Sequence, residues 1–149
     1  MHEHTASIRW NCDGDFARGR YSRSHDWSFD GGAVIRASAS PLSVPLPFSD
    51  AAAIDPEEAF VAAVASCHML WFLDLARQAK LQAVSYRDAA VGHMEGAPHP
   101  WITRVDLHPE TVWTGTVPDP WRVRELHHAA HERCFVANSI RSDVVVHLP

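Results

Sequence analysis

Residues 55–76 read DPEEAFVAAVASCHMLWFLDLA, and the reading of this stretch decides the fold. Asp55 is suited to cap a helix, Pro56 to occupy its first position, and Glu58 stands three residues after the cap. From Ala59 to Leu75 apolar residues then fall on nearly every face. The pattern predicts a helix over about 56–80, buried all round as the central element of a core. Cys67 lies in its middle. The apolar run itself, Ala59 to Leu73, is interrupted by Ser66 and His68 and is expected to fall short of the roughly 20 residues a membrane span needs.

Elements on either side follow from periodicity. Residues 5–12 alternate, with Ala6, Ile8, Trp10 and Cys12 on one face, and predict a strand. A second strand is expected over 16–29, where Tyr21, Arg23, His25, Trp27 and Phe29 share a side. Asp30-Gly31-Gly32 predicts a turn into a third strand, 33–38. After the central helix come strands over 82–95 and 101–114. The Asp119-Pro120 pair opens a second helix, with Val123, Leu126, Ala130 and Cys134 at helical spacing. A last strand covers 141–148. The order βββ-α-ββ-α-β, with strands in runs, is that of an α+β protein, and residues 1–149 are expected to form a single domain.

Composition bounds the function. The 149 residues are 46% hydrophobic and 21% charged with net charge −5, which gives no reason to expect nucleic acid or an anionic membrane as partner. Met1-His2-Glu3-His4 has neither the basic start nor the apolar stretch of a secretory signal. With only three cysteines, the expectation is a reducing cytoplasmic setting without structural disulfides.

Three groups of residues bear on chemistry. Cys67 and Cys134, on the apolar stripes of different helices, read either as small core residues or as a redox pair, in which a thiolate at Cys67 attacks an electrophile and Cys134 resolves the sulfenic acid. Such a thiolate needs a nearby positive charge; Arg23 is the candidate, with Arg18 and Arg20 close by. Glu57 either complements the helix dipole or holds the Arg23 guanidinium. Glu57 and Cys67 stand ten residues apart, roughly 15 Å along a helix, so one arginine side chain hardly serves both within one chain, and a shared site implies a homodimer. Third, His127 and His131 have the i, i+4 spacing of a helical metal pair, set against a solvated histidine-rich face. There is no phosphate-binding glycine loop and no Gly-x-Ser-x-Gly elbow.

These residues resemble the OsmC/Ohr family, the osmotically inducible and organic-hydroperoxide-resistance proteins. Asp55-Pro56-Glu57 with Phe60 and Ala65-Ser66-Cys67 is similar to the family's first-cysteine helix, and the segment from His131 through Cys134 to Ser139 to its second-cysteine segment. The stretch Arg23 to Gly31 is similar to the region of the family's arginine. The resemblance implies an intertwined homodimer with two central helices wrapped by sheets. It also implies a thiol-dependent peroxidase acting on organic hydroperoxides, with Cys67 peroxidatic, Cys134 resolving, Arg23 and Glu57 activating, and an external dithiol as electron donor. No cofactor or metal is expected. Phe60, Val64 and Trp71, near Cys67, are expected to favour a hydrophobic peroxide. Phe135 stands where the hydroperoxide-resistance branch usually has proline, and the segments Tyr21 to Gly32 and Cys67 to Trp71 resemble a separate OsmC-like branch. The alternative reading is a non-enzymatic member that binds a small ligand in an apolar dimer cleft.

Overall fold

Capping is where the sequence expectation and the structure meet most closely. In the computed structural model, which describes residues 1–149, helix α1 spans Pro56–Gln78. The Asp55 carboxylate accepts the Glu58 N–H at 2.7 Å, and the Glu58 carboxylate accepts the Asp55 N–H at 3.1 Å, a reciprocal capping box. At the other end Lys80 takes a left-handed φ of 60°. This lets the Leu81 N–H reach Ala76 O and the Lys80 N–H reach Arg77 O, closing the helix with a Schellman motif. Helix α2, Pro120–Arg133, starts on Asp119, which accepts the Arg122 N–H at 2.9 Å.

The chain divides into two compact units, Met1–Ala59 and Phe60–Pro149. In the first, β1 (Ala6–Arg9), β4 (His25–Phe29) and β5 (Val34–Ala37) form an antiparallel sheet in the order β1-β4-β5. The short strands β2 (Gly14–Asp15) and β3 (Arg20–Tyr21) make a separate hairpin. The single strand expected over 16–29 is therefore broken at Ser22–Ser24. There the backbone turns to other partners: the Ser22 N–H to Asp13 O, and the Arg23 N–H to Phe48 O. Arg23 sits in this break, so strand alternation does not set its direction.

In the second unit β6 (Gln82–Asp88) pairs with β9 (Pro109–Thr114), while β7 (Val91–Glu95) pairs with β8 (Trp101–Leu107). The two strands expected over 82–95 and 101–114 are thus each interrupted once, at the same level. Asp88 lies opposite Pro109 and Val91 opposite Asp106, so one register continues across the break. The interruption has a local cause. Pro109 has no N–H to give a ladder, and the His108 N–H is taken by the Asp88 carboxylate at 2.7 Å. Strand β10 (Asp143–Val146) runs parallel to β8 and completes the sheet β10-β8-β7. On it, Asp106 is clamped by His93 Nε2 at 2.7 Å, His147 Nε2 at 2.9 Å and Arg104 at 3.1 Å. These bonds, that from His147 above all, hold its carboxyl below the usual range.

α1 joins both halves of this core. Val64 packs with Val105 and Leu107 of β8, and Phe72, Leu75 and Ala76 pack with Leu126 and Ala130 of α2. The expectation of a helix buried all round is corrected here. Only the face of Val64, His68, Phe72, Leu75 and Ala76 is buried in the single chain, and Leu70 is 61% exposed. A second correction concerns length, since at 23 residues α1 is long and apolar enough to cross a membrane by those two measures.

Helix and sheet approach closely at Gly92 of β7, where a Cβ would lie 2.5 Å from Val61 Cγ2. Val61 is β-branched and stiff, so Gly92→Ala is expected to cost about 1–3 kcal/mol through overpacking. Adding Val61→Ala should recover most of it. Denaturant unfolding checks both, and an unchanged midpoint for Gly92→Ala would refute the close packing.

Candidate functional site

Cys67 comes from the fourth turn of α1, and Cys134 caps the C-terminal end of α2. Both are free thiols and the fold brings them near one another: the neighbouring Cys67 thiol is one of the groups that raise the Cys134 thiol. Their exposure differs. Cys67 is half-buried, whereas Cys134 is 1% exposed, with its sulfur accepting the Ala137 N–H at 3.4 Å. Burial, reinforced by the contact with Cys67, pushes the Cys134 thiol up to about 11. Cys134 is therefore a thiol at neutral pH. Cys12, the third cysteine, is exposed in the first unit and donates to Gly14 O at 3.7 Å.

Directly behind the pair lies a feature the sequence reading did not single out. His68, next to Cys67, and His127 of α2 are 1% and 2% exposed, and His68 Nε2 is 2.9 Å from His127 Nδ1. The rings are coplanar within 2°. His127 also stacks on Phe72, with centroids 3.9 Å apart. Burial, and for His68 the nearby charge of His131, lowers the histidines to about 4 for His68 and about 3 for His127, so both are neutral at pH 7. His68 Nδ1 and His131 Nδ1 are buried without a partner. The expected solvated histidine face is thus corrected: His127 faces the core, and only His128 stays outside, 3.6 Å from Glu132. No three His, Cys, Asp or Glu side chains converge as a metal-ligand set.

The remaining expected site residues are placed as follows. Arg23, in the first unit, lies with its guanidinium 3.6 Å above the Tyr21 ring and donates to the carbonyls of Gly19, at 3.0 Å, and Tyr21. Its own carbonyl is held by His25. Trp27 donates its indole N–H to His25 Nε2 at 2.9 Å, which leaves the ring hydrogen on Nδ1, and Nδ1 donates to Arg23 O at 2.8 Å. Arg23 is thereby fixed in place without an acid, and it forms no ion pair with Glu57, which lies half-buried in the first turn of α1. Phe60 and Trp71 are partly buried; Trp71 meets Phe135 edge-on at 5.4 Å. Val64 is fully buried against β8, so it belongs to the core rather than to an open lining.

An α+β fold that brings two free cysteines together from the middle of one helix and the end of another defines a class of small proteins built around a thiol pair. The chain belongs to the OsmC-like family, whose model, described as OsmC-like protein, matches residues 49–148. Among solved structures it is similar to an OsmC-like protein of unknown function from Vibrio cholerae, at 45% identity and TM-score 0.96, with 100% of each chain covered. It has the same fold as an organic hydroperoxide resistance protein OsmC from Legionella pneumophila, at 21% identity and TM-score 0.66, covering 99% of this chain and 97% of that one. The organic hydroperoxide resistance protein OhrB of Bacillus subtilis is likewise similar in fold, at 21% identity and TM-score 0.64, covering 97% and 98%. A comparison with curated proteins found no match.

Proposed function

We propose that this chain is a thiol-dependent peroxidase that reduces organic hydroperoxides. The observation that carries the reading is the asymmetric thiol pair: a half-buried Cys67 near a sealed Cys134. In the first step the Cys67 thiolate attacks the outer oxygen of the hydroperoxide; the O–O bond breaks, an alcohol leaves with a proton from solvent, and Cys67 becomes a sulfenic acid. In the second, the Cys134 sulfur displaces the hydroxyl, which departs as water with the Cys134 proton, and a disulfide forms. An external dithiol then returns two electrons and two protons by exchange.

Arg23 and Glu57 enter as the groups that stabilise and orient the thiolate. A guanidinium held by two carbonyls and an aromatic ring is preorganised for an anion. Roughly 15 Å of helix between Glu57 and Cys67 supports a homodimer in which each site draws on both chains. Phe60 and Trp71 form the apolar surroundings that favour an alkyl chain. Kinship with proteins named for organic hydroperoxide resistance supports the same substrate class.

The test is to treat the reduced protein with one equivalent of an alkyl hydroperoxide and examine its peptides by mass spectrometry. The expected product has lost two hydrogens and contains a Cys67–Cys134 peptide pair; an unmodified chain sinks the reading. An alkyl hydroperoxide should also react faster than hydrogen peroxide, and equal or reversed rates would remove the apolar preference.

A further inference from the structure

We propose that the buried His68–His127 pair is the positioning device of the thiol pair, a directional pin that sets the register of α1 against α2 and so sets how closely Cys67 and Cys134 approach. The inference rests on reading the two cysteines as a redox pair.

Three observations carry it. First, His68 Nε2 to His127 Nδ1 is the one side-chain hydrogen bond between α1 and α2; beside it stand apolar packing and the Arg133 guanidinium 6.0 Å over the Trp71 ring. Second, the pin is directly geared to the sulfurs. His68 follows Cys67 in the chain, and His127, His131 and Cys134 fall at i, i+4 and i+7, one face of α2 spanning about 10 Å. A slip of one helix along the other therefore changes the imidazole contact and the separation of the two thiols together. Third, the arrangement is costly. Two imidazoles are buried and His68 Nδ1 is left without a partner, where an apolar pair of the same volume would have no such penalty. Leucine-like contacts tolerate sliding and rotation, whereas a coplanar N–H···N bond of 2.9 Å admits one register. A buried polar contact of this kind specifies alignment at the expense of stability.

A disulfide's equilibrium constant against a reference thiol measures the effective concentration of its two sulfurs, and that is the quantity a register pin controls. The experiment equilibrates the full chain in glutathione redox buffers, quenches with acid, and counts the Cys67–Cys134 disulfide by mass spectrometry. His127→Phe keeps the stacking on Phe72 and removes the hydrogen bond; His127→Asn offers an amide near the place of Nδ1. Expected is a fall of at least about tenfold in the disulfide constant for His127→Phe, with His127→Asn within about threefold of the parent. Equal constants for parent and His127→Phe overturn the proposal, as does a His127→Asn constant that falls as far as that of His127→Phe. If His127→Phe does not fold, His68→Gln against His68→Met is read in the same way. Because glutathione exchange needs no peroxide, a chain inert to hydroperoxides still reports the register, and failure of the peroxidase reading is seen separately. A parent that closes no Cys67–Cys134 disulfide in any buffer also overturns the pin.

Discussion

Cys67→Ser is expected to lower the second-order rate of alkyl hydroperoxide consumption by at least about 10³-fold, because the nucleophile of the proposed first step is removed and no other thiol in the chain replaces it. Cys134 is unable to substitute. It is 1% exposed, and burial pushes its thiol up to about 11, so it stays protonated at pH 7. Cys12 is exposed in the first unit and donates to Gly14 O, with no basic group or second thiol bonded to it. Cys12→Ser should therefore leave the rate within twofold of the parent. Cys134→Ser separates the two steps: the variant should still consume one equivalent of peroxide rapidly, then stop, with Cys67 trapped as a sulfenic acid that dimedone labels. Stopped-flow consumption and labelled-peptide mass spectrometry read these outcomes. A Cys67→Ser protein with more than a tenth of the parent rate would place the chemistry elsewhere.

Helix starts were legible in the sequence because their signals are local. The Asp55–Glu58 box and the Asp119 cap each need only three or four residues to be read, and both form as expected. Cys67 and Cys134 stand on apolar stripes, and stripes of two helices in one small core tend to meet. Strand limits were less legible. Alternation runs through Ser22–Ser24 and through His108 without a visible break, yet the ladder stops where Asp13, Phe48 and Asp88 take the N–H groups. Those partners are distant in sequence or unmarked by any period. The His68–His127 pair was missed although a signal existed. Val64, His68, Phe72 and Leu75 fall at one helical spacing, and Val123, His127, Ala130 and Cys134 at another. Each histidine thus stands in the middle of a buried stripe, where a polar residue needs a partner. The i, i+4 pattern of His127 and His131 reads instead as either a metal pair or a solvated histidine-rich face.

Phe72→Ala is the substitution expected to cost the fold most, about 3–5 kcal/mol, in line with loss of a fully buried phenylalanine and the cavity it leaves. Phe72 is 0% exposed and meets three aromatic partners: His127 face to face at 3.9 Å, Tyr86 at 5.7 Å and Trp113 at 6.0 Å. For a chain of this size the loss corresponds to roughly 6–20 °C in melting temperature, and Phe72→Leu should recover half or more of it because much of the volume returns. A drop below about 1 kcal/mol for Phe72→Ala, measured by denaturant unfolding, would show that the site collapses around the cavity. The pH dependence sharpens the same experiment. In the parent, His68 and His127 titrate at about 4 and about 3, below the ordinary 6.5, because burial disfavours their charged forms. Between those values and 6.5 the unfolded chain binds more protons than the folded one, so stability is full above pH 6.5 and falls as the pH is lowered toward 4. Removing the phenyl ring opens the face of His127 to water, which lets its pKa climb back toward 6.5. The Phe72→Ala protein should therefore lose less stability than the parent over the same acid range, although it starts from a lower value at pH 7. Parallel curves for the two proteins would mean that His127 stays sealed without Phe72, and that the ring contributes packing alone.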